Sequence, residues 1–350
     1  MSNANTSTAM FNKYVASDDQ KDDTKQLQRT TEWHVSRASK IGASEIYDFI
    51  HNPRLFQKRK TTAPDGLVCS DFRRNKTATK PPKSNNYMHM CCNFGTVFEE
   101  VAAKYLSSMY EAKGFKFMEL PSIQHPTVPT IAASADGLVV NDKTGEVRTI
   151  EIKCPIFRTC TTLPDKYMFQ MQQQLMCIPE ATSCDYHAFQ FRVCKWFDSG
   201  TPVFNRYYHR APAAKYPPVQ QKDIIMCGII EVLDGKAKDY GAYRINPVTK
   251  KPYYHMAKFA DLGDPSKYKV HILNRRCDTC DELYSVLSDR KSSMFCFTLL
   301  RHTQVNVVPD EAIQGTILMG VKRKNEELRE TLRLAEKSVQ EWIERCKDKQ

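Results

Sequence analysis

The chain has 350 residues, of which 41% are hydrophobic and 26% charged, a composition typical of a soluble globular protein with one large or two modest domains. No apolar run approaches the roughly 20 residues that span a bilayer, and the N-terminus lacks the apolar core of a signal peptide. The formal net charge of +11 favours a polyanionic partner, most commonly nucleic acid. We therefore expect an intracellular protein of the cytoplasm or nucleus with no membrane partner.

The 13 cysteines favour reduced thiols over disulfides, because the chain is long, the count is odd and no secretion signal is visible. Cys277 and Cys280 form one C-x-x-C pair, and Cys91 and Cys92 are adjacent. A structural zinc site usually needs two such pairs. Ordinary thiols in a helix or turn are the preferred interpretation.

The N-terminal third begins with a polar segment, residues 1–30, which we predict to be a flexible tail before a single domain over 31–350. Ser44 is a plausible N-cap for a short helix, EIYDFI, that ends before a proline. Residues 57–86 are rich in Lys, Arg, Pro, Thr and Asn, which predicts a long basic loop. Five of its basic residues are candidates for phosphate contacts, with a solvated, mobile loop as the alternative: Arg73, Arg74, Lys76, Lys80 and Lys83.

The middle of the chain alternates helical and strand patterns. The run NFGTVFEEVAAKYLSSMYEAKG has apolar residues at helical spacing, with Glu99 beside that stripe and Gly114 as a terminator. Two strand-like runs, IAASADGLVV and EVRTIEIK, are joined by the turn-forming NDKTG. They predict a β-hairpin that carries Asp136 on one arm and Glu151 with Lys153 on the other.

A second helix is predicted in PDKYMFQMQQQLMCI, followed by a strand in DYHAFQFRVC. Gln170 and Gln174 lie four residues apart on one helical face, and alone this glutamine-rich run indicates a solvated face. Residues 200–270 carry many prolines and tyrosines and are interpreted as an insertion or elaboration of the core. The C-terminus predicts one or two helices whose apolar stripe packs on the sheet; its members are Leu328, Leu332, Ala335, Val339 and Trp342.

The stretch TIEIKCP, residues 149–155, places two charges in a β-branched run. Side chains alternate along a strand, so Glu151 and Lys153 point to one face while Ile150 and Ile152 point to the other. This pattern fits an ion pair on a solvated face or half of a metal-dependent nuclease site. The spacing alone does not decide, because an acid two residues before a lysine recurs at Asp19, Asp23, Glu111, Asp234 and Asp289.

Several short blocks occur in a fixed order: WHVSRASKIGASEI, FGTVFEE, SADGLVV, EIKCP and YMFQMQ. In this order the chain resembles the lambda-exonuclease-like branch of the PD-(D/E)xK nucleases, also called YqaJ-type viral recombinase nucleases. The blocks span residues 33 to about 194. The resemblance implies an α/β fold with a restriction-endonuclease-like core, in which a central mixed β-sheet of about four or five strands is flanked by helices.

The resemblance also implies a catalytic set, formed by Glu99, Asp136, Glu151, Lys153 and Gln170. Asp136, Glu151 and the backbone carbonyl of Ile152 match the metal ligands, with Glu99 in support directly or through water. Lys153 matches the lysine that orients and activates the attacking water, and Gln170 matches the glutamine beside the nucleophile. The implied ion is Mg²⁺, with Mn²⁺ as a substitute, since hard carboxylate oxygens suit both.

A second implied site holds the terminal 5′-phosphate of DNA. Arg37, Ser44 and Ser134 match its positions, and Trp33 matches an aromatic residue nearby, although a core tryptophan is an equally good interpretation. Ala135 stands where the family often has proline, which should alter the rigidity of the turn more than the chemistry.

The resemblance thus predicts a metal-dependent 5′-to-3′ exonuclease on double-stranded DNA that leaves 3′ single-stranded tails for recombination, repair or viral DNA processing. A single-strand annealing or binding protein is an implied partner. The alternatives are an endonuclease or a DNA/RNA nuclease on the same fold, and a catalytically dead nucleic-acid-binding protein. The complete set of Asp136, Glu151 and Lys153 argues against the last, because a binding protein does not need it.

Overall fold

The computed structural model of the protein has a mixed α/β fold. The described residues are 6–14, 40–52, 58–62, 68–70, 86–155, 162–196, 202–204, 225–233, 243–245, 252–254, 265–273, 294–324 and scattered helical positions between 329 and 344. The helices are α1 (Thr6–Tyr14), α2 (Ile46–His51), α3 (Asn86–Glu111), α4 (Asp165–Cys177) and α5 (Glu311–Arg323). Within these ranges no helix combines the length and apolarity that a membrane crossing requires.

An eight-stranded mixed sheet dominates the structure. Its strands are β4 (Lys116–Met118), β7 (Gly137–Asn141), β8 (Glu146–Lys153), β9 (Ser183–Trp196), β10 (Pro202–Phe204), β11 (Met226–Val232), β14 (Tyr268–Leu273) and β15 (Met294–Val307). The order is β14-β11-β15-β9-β8-β7-β4, with β10 beside β9. Strands β8 and β9 run parallel and are joined through α4, whereas the other neighbours are antiparallel.

The sheet is larger than the four or five strands predicted. The long strands β9 and β15 pair along most of their length. Strand β11 then pairs with the other edge of β15, and β14 pairs with β11. Strand β11 and the first half of β14 come from the segment that the sequence presents as an elaboration. Pairing between strands so distant in sequence leaves no local signal, which explains the underestimate.

Three smaller sets of strands complete the described structure. Strands β1 (Ile41–Gly42), β5 (Ile123–Gln124) and β6 (Ile131–Ala133) form a sheet in the order β1-β6-β5. The other pairs are β2 (Lys58–Thr62) with β3 (Val68–Ser70) and β12 (Tyr243–Ile245) with β13 (Pro252–Tyr254). The predicted basic loop therefore contains a strand pair, and its residues 71–85 lie outside the described part of the chain.

Helices α3 and α4 cover opposite faces of the large sheet. Ile150 and Ile152 of β8 pack into the core cluster that contains Phe98 of α3. Tyr186 and Ala188 of β9 belong to the second cluster, which α4 contributes to. The alternation predicted from TIEIKCP is confirmed: the two isoleucines are buried under α3, and Glu151 faces α4.

Helix α3 starts seven residues earlier than its apolar pattern predicts, at Asn86 rather than Asn93. Its end is as predicted, because Gly114 adopts a φ of +81° and donates its backbone N–H to Glu111 O at 2.9 Å. The β7–β8 hairpin is also confirmed, with Gly145 at φ +74° in its turn. However, the predicted first arm is not one strand, since β6 and β7 belong to different sheets and residues 134–136 form the break between them.

The predicted N-terminal tail contains the helix α1, which packs on the domain. The Ser7 backbone N–H and hydroxyl donate to Asp142 at 2.7 and 2.8 Å. At the other end of the helix, Lys13 and Tyr14 donate to Glu180. These polar contacts at both ends explain how a segment with little apolar character is held, and they correct the expectation of a flexible tail for residues 6–14.

Two predicted helix boundaries need comment. Ser44 is not the N-cap of α2, because it lies inside a 3₁₀ turn, Ala43–Glu45, where the Gly42 N–H donates to Glu45 Oε2 at 2.9 Å. The C-terminal stripe is described in part: Leu332 is buried in the cluster beside α4, as predicted, and the other four stripe residues lie outside the described positions.

Candidate active site

Glu151 and Lys153 lie near the C-terminal end of β8, in the middle of the large sheet. The Glu151 side chain is only 1% exposed, and Lys153 is 23% exposed. The Lys153 ammonium donates to Glu151 Oε1 and lies 3.2 Å from the Ile152 carbonyl oxygen. A buried carboxylate is unfavourable without a charged or hydrogen-bonding partner, so this pair accounts for part of the stabilisation that Glu151 needs.

Asp136 is held beside this pair by the break between β6 and β7. Strand β7 starts with Gly137 opposite Ile150, so the β8 backbone beyond that point lacks a strand partner on this side. Asp136 takes its place: its N–H donates to Ile150 O at 3.0 Å, and its Oδ2 accepts from the Ile152 N–H at 2.7 Å. The chain break therefore delivers a carboxylate to the end of β8.

Two glutamines of α4 bind the Glu151 carboxylate from the other side. Gln170 Nε2 donates to Glu151 Oε1 at 2.7 Å, and Gln174 Nε2 donates to Oε2 at 2.5 Å. Gln170 is 7% exposed and Gln174 is fully buried. The interpretation of this helix face as solvated is wrong, because Met171 and Leu175 on neighbouring faces are also buried and the helix is enclosed.

The charges in this cluster influence one another. Burial, and next the negative charge of Glu151, raise the pKa of Asp136 well above its usual range. Burial alone would lower the pKa of Lys153, but the carboxylates of Glu151, Asp136 and Glu99 outweigh it and raise that pKa. The lysine is therefore an ammonium, and its positive charge offsets part of the repulsion between the neighbouring carboxylates.

The donor set fits a hard divalent cation with few protein ligands. Within the described ranges, no three or more His, Cys, Asp and Glu side chains are arranged to hold a metal ion together. Mg²⁺ does not need them, since it keeps several waters and takes one or two carboxylates. Asp136, Glu151 and the Ile152 carbonyl supply such a set, and Glu99, partly buried on α3, is near enough to raise the pKa of Asp136.

Ser44 and Ser134 leave the same end of a small sheet. Strands β1 and β6 are parallel, with Gly42 opposite Ala132, and each serine follows its strand residue by two positions. Ser44 is exposed and Ser134 is partly buried. The other residues proposed for DNA contact, Arg37, Arg73 and Arg74, and the nearby Trp33 lie outside the described part of the chain.

Gln174 is a residue of the site for which the sequence predicted no functional role. Its spacing of four from Gln170 carried the relevant signal, since both side chains must then meet the same neighbour. What the sequence did not show is that this neighbour is Glu151 rather than water.

Comparison with protein families supports this arrangement. Residues 32–185 fit the family model of the YqaJ-like viral recombinase domain. Over these residues the chain is similar to that family. The recognition made from the short sequence blocks, and with it the assignment to a DNA-hydrolysing enzyme family, is confirmed. All residues of the cluster at the end of β8 fall inside the YqaJ-like domain, which covers a little under half of the chain.

Solved structures with likeness to the chain include an alkaline exonuclease (LHK-Exo) from Laribacter hongkongensis, 18% identical over 91% of this chain and 99% of that chain, with a TM-score of 0.39. A phage-related exonuclease from Haemophilus somnus 129PT is 11% identical over 88% and 96%, with a TM-score of 0.30. A SOX–DNA complex is 10% identical over 85% and 68%, with a TM-score of 0.27. Because all of these TM-scores are below 0.5, the structural likeness carries no argument, and the relation to nucleases rests on the family match. No curated protein sequence matches the chain.

Proposed function

We propose that the protein is a Mg²⁺-dependent exonuclease that degrades double-stranded DNA in the 5′-to-3′ direction and leaves 3′ single-stranded tails. The observation that supports this proposal is the cluster of Asp136, Glu151 and Lys153 inside the YqaJ-like region. A cluster of this kind brings two carboxylates and an ammonium to one point at the end of a strand. Such groups suit the hydrolysis of a phosphodiester, which is protected by its own negative charge.

Each residue of the cluster has a role that its contacts support. A divalent metal ion, when bound, would neutralise the phosphate and lower the pKa of a coordinated water. Asp136, Glu151 and the Ile152 carbonyl would hold it. Lys153, as an ammonium, can donate hydrogen bonds to the attacking water and orient it toward phosphorus. Gln170 lies against the same carboxylate oxygen as Lys153 and fixes its position.

The direction of degradation is proposed from the pair of serines beside β1 and β6. Ser44 and Ser134 follow paired strand residues, and Ser134 lies two residues before Asp136. Hydroxyls so placed can donate hydrogen bonds to a terminal phosphate while the next phosphodiester enters the cluster. Arg37 is proposed to complete this pocket with a charge-assisted, bidentate contact. The 3′ tail that results would be the substrate of a single-strand annealing or binding protein.

Digestion of three substrates tests this function. We expect the protein, with Mg²⁺, to degrade 5′-phosphorylated linear duplex faster than 5′-hydroxyl duplex, to spare covalently closed circles and to stop when a chelator is added. Arg37→Ala should remove most of the preference for the phosphorylated end. Rapid nicking of closed circles, or equal rates on both linear ends in the wild type, would replace the exonuclease with the endonuclease alternative.

A further inference from the structure

Three consecutive glutamines of α4, at 172–174, are all fully buried. Successive residues of an α-helix point about 100° apart, so these side chains reach three different neighbours. Gln172 binds the segment that precedes α5. Gln173 donates to the carbonyls of Ile41 and Ala132 at 2.9 and 2.8 Å, which joins α4 to β1 and β6. Gln174 reaches the candidate active site.

The hydrogen bonds of Glu151 show what Gln174 adds. Oε1 accepts from both Gln170 and Lys153, whereas Oε2 accepts from Gln174. A carboxylate offers about four acceptor positions, two on each oxygen. Among the described residues, Gln170 and Lys153 occupy both acceptor positions of Oε1. Gln174 occupies one of the two acceptor positions of Oε2. The position of that atom therefore depends on Gln174.

Chemistry fixes the orientation of the Gln174 amide at both ends. A carboxylate can only accept, so the NH₂ group must face Glu151. At the opposite end, the Cys184 thiol on β9 donates to Gln174 Oε1 at 3.4 Å. Gln174 has no exposed surface and Lys153 is partly exposed. When Lys153 turns toward a substrate, the two glutamines remain as the donors that hold Glu151.

We infer that Gln174 is a positioning residue that sets the orientation of the Glu151 carboxylate and, through it, the affinity of the site for its divalent metal. This role rests on the proposed function, since it presumes that Glu151 is a metal ligand. Groups that orient a metal ligand are typically worth about 10- to 100-fold in metal affinity or activity. Gln174 acts without touching the metal, the water or the DNA.

Metal binding by the full-length protein, without DNA, tests this role. Mn²⁺ is titrated and the free ion is followed by electron paramagnetic resonance, so that no catalytic turnover enters the measurement. Gln174→Met keeps the shape of the side chain but removes the amide, and Gln173→Met makes the same change at an adjacent, equally buried position. We expect Gln174→Met to weaken Mn²⁺ binding about 10- to 100-fold. Gln173→Met should lower the unfolding temperature and leave Mn²⁺ binding at the wild-type value.

Wild-type Mn²⁺ affinity in a folded Gln174→Met variant would overturn the positioning role but not the proposed function. Equal weakening of Mn²⁺ binding in both variants would also overturn the positioning role, because it would indicate general damage to α4. If Gln174→Met does not fold, Gln174→Asn, which keeps the amide but is one methylene shorter, carries the same expectation. Absence of both Mn²⁺ binding and DNA cleavage in the wild type would instead overturn the proposed function, and this role with it. The two failures are therefore distinguishable.

Discussion

Lys153 lies against two of the oxygens assigned to a metal ion, Glu151 Oε1 and the Ile152 carbonyl. An ammonium and a metal cation cannot use the same lone pairs at once. Loading of the site would therefore require Lys153 to move away from at least one of these oxygens. Its partial exposure gives the side chain room for that movement.

Removal of Lys153 should separate its effect on the cleavage rate from its effect on metal binding. We expect Lys153→Ala to lower the cleavage rate by about 10² to 10⁴, the usual worth of a group that orients or activates a nucleophile. Metal binding should not weaken, because the variant loses a competing cation. Single-turnover rates across a Mg²⁺ titration measure both quantities. An unchanged rate with weaker metal binding would show that Lys153 serves the metal site rather than the water.

Asp136 offers a second test at the same scale. Asp136→Asn keeps an oxygen that can accept from the Ile152 N–H but removes the negative charge. We expect cleavage to be lost while the fold persists, and DNA binding without metal to be retained or tightened, because repulsion between carboxylate and phosphate is relieved. Gel shift and circular dichroism on the variant check these outcomes. Asp142→Asn, on the hairpin turn, is the matched control and should cleave normally.

At the scale of elements, β9 and β15 carry a polar network under α3. His187 Nδ1 and His302 Nε2 are 2.8 Å apart, and the Tyr110 hydroxyl lies between His187 and Asp185, 2.9 and 2.6 Å from them. Arg148 of β8 also donates to Asp185 at 3.1 Å. The network lies on the face of the sheet opposite α4 and the candidate active site. We therefore expect it to stabilise the fold rather than to take part in cleavage.

This network predicts acid sensitivity. Burial, with the charge of Lys113 in the same direction, lowers the pKa of His302 to about 4. Burial, and next the charge of His302, lower the pKa of His187 to about 3 against the opposing charge of Asp185. The folded state thus binds these protons less readily than the unfolded state, in which histidine titrates near 6.5. Their contribution to stability is complete above about pH 6.5 and is lost progressively as the pH falls toward 4. Urea unfolding at several pH values measures it.

His302→Gln supplies the comparison, since glutamine can still bond His187 but does not titrate. The variant should lose less unfolding free energy than the wild type between pH 6.5 and 4. The same change at His51, on the exposed end of α2, should leave the wild-type pH dependence intact. Equal pH dependence in all three proteins would show that His302 does not contribute to acid sensitivity.

Elements with a strong local pattern were predictable. The alternation in TIEIKCP placed Glu151 and Lys153 correctly on one face of a central strand, and Gly114 ended its helix as expected. The separation of IAASADGLVV into two strands was not predicted, because β6 and β7 are distinguished by the sheets in which they pair rather than by a local pattern. The buried glutamines were missed for the same reason: amide side chains look alike in sequence whether their partners are water or protein.

At the scale of the whole molecule, the net charge of +11 predicts salt-dependent DNA binding. Each phosphate neutralised by a lysine or arginine releases counterions, so the logarithm of the binding constant should fall with the logarithm of salt concentration by about 0.9 per contact. The inactive Asp136→Asn variant, titrated onto linear duplex without metal, allows this measurement. Unfolding temperatures at each salt concentration control for changes in the protein. Binding that is independent of salt would contradict a phosphate-based contact surface.

The contact between Lys153 and its carboxylate neighbour has a consequence for the life of the protein before it meets DNA. Because the chain brings its own counter-ion to Glu151, folding need not wait for a metal, in contrast to domains whose fold is built around one. The proposed function therefore implies a protein that is folded but inactive when no metal is bound. On that proposal, divalent cations should start cleavage, and a chelator should stop it without unfolding the protein.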